Sequence, residues 1–356
     1  MNLPRPSANV AEYKRIMESG FARFPERKQN YDKFVKAHGG GPSERADYMP
    51  VKMDYEVSSL CNFRCRMCLM AEISDHRPPQ MSFADYKKSL DEQCGLIEVK
   101  LQGIGEPLLN KDFFDMVRET VSRDIWARTT TNGSLLHLND NYKRMIDEKI
   151  GEIQVSIDGA TKETFEKIRT GSNFERVVEN VKKMNEYAKS KGEGWRSSCW
   201  MLVQEDNFHE IYQLLDLAEY MNFSRVTYSL TVSDWGGQDN WTEINDKKDV
   251  SNRFTEEMGH KLIELGKAKG INVTFWEGKD KYVFDEKKDK ICQWLFSRAY
   301  ISGGMKIVPC CVICTAEKSE LGEALNFADY WNAEPYRALR RMHLSGNIPP
   351  MCRNCY

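Results

Sequence analysis

Apolar and polar residues alternate along this chain in two rhythms. From about residue 51, short β-rich runs give way repeatedly to stretches with apolar residues at helical spacing. The runs over 51–58, 97–101, 125–130, 152–157, 197–203 and 225–231 predict strands. Helices are predicted between and after them, over 82–93, 111–122, 141–149, 161–168, 174–189 and 208–221. Ser82 is placed to cap the first of these, with Asp85 at the favourable N3 position. Six such β/α steps predict an α/β fold: a partial (β/α)6 barrel of TIM type, with functional loops at the strand C-termini. Periodicity alone also allows a doubly wound sheet.

The flanks differ. Residues 1–50 are polar, with short helices predicted over 10–18 and 30–37 and a loop at Gly39-Gly40-Gly41-Pro42, so they form a helical extension, either a packing cap or a lid. The barrel is expected over 51–232. A connecting segment, 233–285, starts as a polar loop over 233–250 and continues with a helix over 253–268 and a short strand over 272–276. From 286 to 356 the pattern changes to short strands, turns, a terminal helix and many cysteines.

Composition narrows the possibilities. The 356 residues are 41% apolar, enough for a sizeable core, and the formal net charge of −2 gives no electrostatic case for nucleic acid or an anionic membrane. No long apolar run suggests a transmembrane helix, and the N-terminus lacks the apolar stretch of a signal peptide. Eleven cysteines in a chain of this length concentrate in two groups. A reducing cytoplasm with metal-bound thiolates accounts for them better than disulfides.

The first group is Cys61-Asn62-Phe63-Arg64-Cys65-Arg66-Met67-Cys68, with spacing C-x3-C-x2-C. A cubane [4Fe–4S] cluster closed by four thiolates has no free position; three local thiolates leave one iron open. Zinc sites usually use four ligands in paired knuckles. A structural metal knuckle or three buried core cysteines are the bland alternatives.

This triplet, just after a strand, resembles the radical S-adenosylmethionine (SAM) superfamily. The resemblance implies that Cys61, Cys65 and Cys68 hold a [4Fe–4S] cluster whose open iron chelates SAM. One electron then cleaves SAM to a 5′-deoxyadenosyl radical that takes hydrogen from substrate, with a flavodoxin or ferredoxin-type protein as electron donor. Gln102-Gly103-Ile104-Gly105-Glu106-Pro107 is similar to the family's GGEP segment, where the Gly105–Glu106 backbone would meet the SAM ammonium. Thr131-Asn132-Gly133 resembles its T-N-G turn. Ser156-Ile157-Asp158-Gly159 resembles its S-I-D-G segment, with Ser156 and Asp158 near the ribose. Ile168-Arg169-Thr170-Gly171 resembles its I-R-x-G segment, with Arg169 available to the SAM carboxylate. Singly, each of the four is also an ordinary turn or helix-entry sequence; their order at successive strand ends carries the resemblance.

The second group contains Cys292, Cys310, Cys311, Cys314, Cys352 and Cys355, with a hairpin turn predicted at Tyr300-Ile301-Ser302-Gly303-Gly304. The layout resembles a twitch or SPASM auxiliary-cluster domain, which implies a second [4Fe–4S] cluster on Cys292, Cys310, Cys352 and Cys355. A zinc ribbon is the structural alternative. Cys311 and Cys314 stay unassigned, either as alternate ligands or as a hydrogen donor to a substrate radical.

A redox cluster beside the radical suits dehydrogenation. The fifty N-terminal residues lack the alternation of a leader-recognition domain, so the expected substrate is a small polar molecule, a sugar or cyclitol. A peptide maturase or epimerase is the alternative within the family. An iron–sulfur or zinc-binding scaffold is the non-enzymatic one. Glu205, Asp206, His209 and residues 233–246 are candidate sources of a general base.

Overall fold

The computed structural model describes residues 1–71, 80–237, 241–278 and 291–356. Parts of the expected connector, 238–240 and 279–285, and the first residues expected of the C-terminal region, 286–290, lie outside the described residues.

Ten strands form one sheet: β1 Lys52–Tyr55, β2 Glu98–Leu101, β3 Trp126–Thr131, β4 Glu152–Ser156, β5 Ser197–Leu202, β6 Arg225–Ser229, β7 Asn272–Trp276, β8 Arg298–Ile301, β9 Lys306–Val308 and β10 Gly322–Glu323. Strands β1 to β7 lie side by side in chain order, all parallel. Helices α1 Val10–Arg23 and α2 Pro25–Gly40 precede the sheet. α3 Phe83–Asp91, α4 Phe113–Ser122, α5 Asn141–Asp147, α6 Lys162–Ile168, α7 Phe174–Ser190 and α8 Gln213–Tyr220 occupy the crossovers up to β6. The expected Ser82 cap is present: its side chain accepts from the Asp85 N–H at 3.1 Å.

The six-step barrel is extended at both edges. The strand expected inside the connector, β7, pairs with β6 along its whole length and is a seventh parallel strand. Strand β8 pairs in parallel with β1, Lys52 opposite Arg298 through Tyr55 opposite Ile301, so the cysteine-rich region continues the barrel sheet. The expected hairpin is β8 with β9, antiparallel, and β10 adds beyond it. These pairings join residues far apart in sequence, which local periodicity does not encode.

Two smaller corrections have local causes. The helix expected over 208–221 splits into a 3-10 turn at Phe208–Glu210 and α8. Glu210 is buried there because its carboxylate accepts from the Ala160 and Thr161 N–H groups and the Thr161 and Thr164 hydroxyls, at 2.6–3.2 Å, capping α6 from outside. The segment expected as a loop over 233–250 contains α9, Trp241–Asp246, anchored by buried Trp241 and Asn245. The connector helix, expected over 253–268, is α10, Glu256–Ala268, with Thr255 as its cap. Beyond β7 lie α11 Trp294–Ser297, α12 Ala316–Ser319, α13 Phe327–Trp331 and α14 Glu334–Leu344.

The two faces of the parallel strands are chemically opposite. Met53, Tyr55, Val99, Leu101, Ile153 and Val155 are fully buried in the core. Their neighbours Lys52, Asp54, Glu98, Lys100, Arg128, Glu152 and Gln154 line the interior cavity. Helix α1 lies at the N-terminal strand ends, where the Tyr13 hydroxyl donates to Glu98 at 3.3 Å and its ring meets Trp126 edge-on at 5.2 Å.

Candidate active site

The cysteine loop follows β1 at the C-terminal end of the sheet. Its backbone is tied down on several sides. The Arg64 N–H donates to the Thr170 carbonyl at 2.8 Å and the Arg66 N–H to the Ile168 carbonyl at 3.0 Å. The Glu106 N–H donates to Leu60 at 2.8 Å, and Cys68 closes a turn onto Cys65 at 3.0 Å. The Asn132 amide donates to Asn62 Oδ1 at 3.0 Å and lies 3.9 Å from the Cys61 sulfur. Each segment matched to a family motif therefore touches the cysteine loop or is bonded to one that does.

The glycines in these segments serve that packing. A Cβ on Gly105 would fall 2.3 Å from the carbonyl oxygens of both Ser58 and Leu60, so only glycine lets the second strand-end loop lie this close. Gly171 has φ +89, a left-handed turn that sets its backbone beside Asn62.

Glu106 acts as a clamp. Its buried carboxylate accepts from the Asn132 N–H at 2.8 Å, the Thr131 hydroxyl at 2.7 Å and the Leu108 N–H at 3.3 Å. Burial raises its pKa even so. Its N–H donates to the Leu60 carbonyl and its carbonyl accepts from the Leu109 N–H, which fixes the Glu106 main chain beside the cysteine loop.

Asp158 and Arg169 form a buried ion pair, Nη2 to Oδ2 at 2.6 Å, and the second Asp158 oxygen accepts from the Leu202 N–H at 2.8 Å. Burial works to lower the Arg169 pKa, but Asp158 and Cys65 outweigh it and leave the guanidinium above its ordinary value. Ser156, Asp158, Arg169, Asn132, Gly105 and Glu106 all line one cavity with Cys61, Cys65 and Cys68. Burial raises all three thiols, Cys65 to about 11 and Cys68 to about 12. The metal-free loop thus holds neutral thiols, and loading metal must displace protons.

The cavity has a volume of about 1070 Å³ and reaches both cysteine groups, since Cys311 and Cys355 line it too. Below the cysteine loop it is bounded by a ladder of charges. Glu98 takes Lys52 at 3.0 Å, Arg128 at 3.0 Å and Arg298 at 2.9 Å. Arg298 also reaches Asp54 at 2.7 Å, and Arg128 reaches Glu152 at 2.8 Å. Lys100 instead donates to the neutral Gln154 Oε1 at 3.1 Å, and burial lowers its pKa to about 8.

In the second group, the Tyr356 hydroxyl accepts from the Cys292 N–H at 2.9 Å and lies 2.6 Å from His343 Nδ1. Burial, then Cys310 and Cys355, push Cys352 up to about 12. Burial, then Glu56, Cys311, Cys310 and Cys68, hold Cys314 well above its ordinary value. Cys314 thus lies between the two groups, in an apolar cluster with Leu69, Trp294 and Tyr300. None of the eleven cysteines is in a disulfide. Among the described residues no three cysteine, histidine, aspartate or glutamate side chains converge as a single-ion site. A cubane asks for something else, since each thiolate binds its own iron. Three thiols on one pinned loop, open to one cavity, fit that demand.

The general-base candidates fall elsewhere. Asp206 pairs with Lys167 at 2.8 Å, Glu205 pairs with Arg253, and His209 is exposed. From 233–246, Ser233, Asp234 and Trp235 do line the cavity, and the Trp235 indole N–H donates to the Met67 carbonyl at 3.0 Å. The interior charges were the residues that motif reading missed. Their signal is the alternation Lys52-Met53-Asp54-Tyr55-Glu56 and Glu98-Val99-Lys100-Leu101-Gln102. Parallel strands covered on both faces are normally apolar throughout, so charge at every second position marks a polar interior.

The radical SAM superfamily model matches residues 55–218. GTP 3′,8-cyclase from Aliarcobacter butzleri is 33% identical over 149 residues, 40% of this chain and 43% of that protein. PqqA peptide cyclase from Granulibacter bethesdensis is 22% identical over 315 residues, 86% of this chain and 79% of that protein. Among solved structures, Streptococcus suis SuiB bound to precursor peptide SuiA superposes with a TM-score of 0.66 at 18% identity, covering 88% of this chain and 71% of that one. The match begins at the last residue of β1 and ends within α8, enclosing the cysteine loop, the three motif segments at strand ends and the fourth, 168–171, at the end of α6. Residues 55–218 are therefore a radical SAM domain, of a family that works with a [4Fe–4S] cluster and SAM.

Proposed function

We propose that this chain is a radical SAM enzyme that modifies a peptide. Cys61, Cys65 and Cys68 hold the SAM-binding cluster, and Cys292, Cys310, Cys352 and Cys355 hold an auxiliary one. When bound, these groups supply a 5′-deoxyadenosyl radical for hydrogen abstraction and an acceptor for the remaining electron. Asn132 orients the Cys61 end of the loop, and the Asp158–Arg169 pair borders the place for SAM. The observation that carries this reading is one cavity lined by Cys61, Cys65 and Cys68 of the first group and by Cys311 and Cys355 of the second. A substrate seated there is within reach of radical generation at one end and electron removal at the other.

The preference for a peptide over the sugar or cyclitol expected from sequence rests on likeness along most of the chain to a peptide cyclase and to a protein bound to its precursor peptide. Cytoplasmic residence fits eleven cysteines of which none is in a disulfide, and among the described residues no helix is long and apolar enough to cross a membrane.

The test is anaerobic incubation of the reconstituted chain with SAM, reductant and peptides encoded beside its gene, read by mass spectrometry. Loss of two hydrogens from a peptide is expected. Oxidation of a cyclitol with every such peptide unchanged would return the function to small-molecule dehydrogenation.

A further inference from the structure

Lys100 stands apart in the charge ladder. Lys52, Arg128 and Arg298 each lie within 4.0 Å of a carboxylate. Among the described residues Lys100 has none, although it lines the same cavity. An ammonium has three protons to donate, and Gln154 accounts for one. That acceptor is fixed in place: Gln154 Oε1 also accepts from the Thr130 hydroxyl at 3.0 Å, while its Nε2 donates to Glu152 at 3.2 Å. The amine is therefore aimed rather than swinging. An aimed cation with spare donors, half-buried and with no carboxylate beside it among the described residues, is costly to keep.

Its height in the barrel gives the feature meaning. Glu98 and Lys100 of β2, and Gln102 just after it, line the cavity on the same side. Glu98 belongs to the compensated ladder, and Gln102 opens the strand-end segment that packs on the cysteine loop. Lys100 sits between them, one pleat repeat of about 6.6 Å below Gln102. Its register neighbours are Asp54 and Arg128, and it also feels Glu152 and Cys311 of the second cysteine group. It therefore faces the part of the cavity between the radical-generating loop and the C-terminal cysteines.

We infer that Lys100 is the docking point for a carboxylate of the substrate, which under the peptide reading proposed above is an acidic side chain or a free C-terminus. The anion completes the counter-charge that the ladder withholds and fixes the distance of the neighbouring carbon from the cysteine loop. A charge-assisted hydrogen bond at a half-buried ammonium discriminates a carboxylate from its amide by about tenfold.

The test is a labelling footprint on the SAM-loaded, cluster-containing full chain. Lys100 is acetylated with acetic anhydride and quantified by mass spectrometry, with exposed Lys14 as the internal reference. Glutarate and a blocked pentapeptide with a central glutamate are each expected to slow Lys100 labelling about tenfold, and the glutamine pentapeptide is expected not to. The Lys100→Met variant is expected to bind both pentapeptides equally, and Lys100→Arg to keep the preference. Protection by glutarate but by neither peptide would keep the anion site and sink the peptide reading. Equal labelling with and without every carboxylate would overturn the inference on Lys100 and leave the peptide reading to its own test.

Discussion

The two cysteine groups are held in different ways. The first is fixed through main chain: the carbonyls of Leu60, Ile168 and Thr170 each accept from a neighbouring segment or loop N–H, and Glu106 ties two strand ends together beside it. The second is held by a short hairpin, the terminal 3-10 turn Pro350–Cys355 and one tyrosine hydroxyl between Cys292 and His343. A site built from main-chain bonds at several strand ends is rigid and tolerates little variation. A site carried by the end of β9, which joins the barrel strands only through β8, and by a terminal turn is tied to the barrel less directly. The arrangement suits a division in which radical generation is fixed and the handling of substrate is adaptable.

The contrast can be broken most sharply at the cysteines themselves. Cys61→Ala is expected to abolish SAM cleavage and lower the reconstituted iron from about eight to about four per chain. Cys352→Ala is expected to lower iron similarly but to leave reductive SAM cleavage measurable, with modified product lost. Iron content and 5′-deoxyadenosine release measured together check this; equal loss of cleavage in both variants would erase the division.

A smaller effect is expected at Glu106. Replacing it with alanine strands the Thr131 hydroxyl and two N–H groups, so destabilisation of about 3 kcal/mol is expected from urea unfolding, with Glu106→Gln recovering part of it. An unchanged midpoint for Glu106→Ala would mean the clamp is dispensable and the cysteine loop no more rigid than the terminal one.

The smallest expected effect has the opposite sign. The folded state lowers the Lys100 pKa from 10.5 to about 8, so it resists the amine's charge. That penalty is full below pH 8, where both states are protonated, shrinks as pH rises from 8 to 10.5, and is gone above. Lys100→Met is therefore expected to stabilise the chain by about 1–3 kcal/mol at pH 7, with the gain vanishing near pH 10.5. A destabilised variant at pH 7 would show that the amine is satisfied by the protein itself.

Much of the barrel was legible in the chain because each strand and helix is a local pattern. Ser82 and Asp85 mark a helix start by their own chemistry, and Asn272–Trp276 reads as a strand from β-branched and aromatic residues alone. Which strand it pairs with is not local, so the seventh parallel position of β7 and the junction of β8 with β1 emerged only in three dimensions. The site divided along the same line. Cys61, Cys65 and Cys68 are visible as a spacing. That Arg169 meets Asp158, or that Gly105 presses on Ser58 and Leu60 where it lines the cavity, depends on loops meeting across strand ends. Lys100 was hidden for another reason: one lysine in a strand looks like solvent-facing charge until the strand is known to be buried on both faces.

The junction of β8 with β1 also bears on how the molecule is made. Asp54 and Arg298, which meet across it, are 244 residues apart. At roughly 5–20 residues per second of synthesis, β1, the strand that leads into the first cysteine loop, exists for about ten seconds or more before its outer neighbour has been made. The edge of β1 that leads into the cysteine loop therefore stays unpaired through that interval, and the parallel sheet is closed on that side only once the C-terminal region has been made.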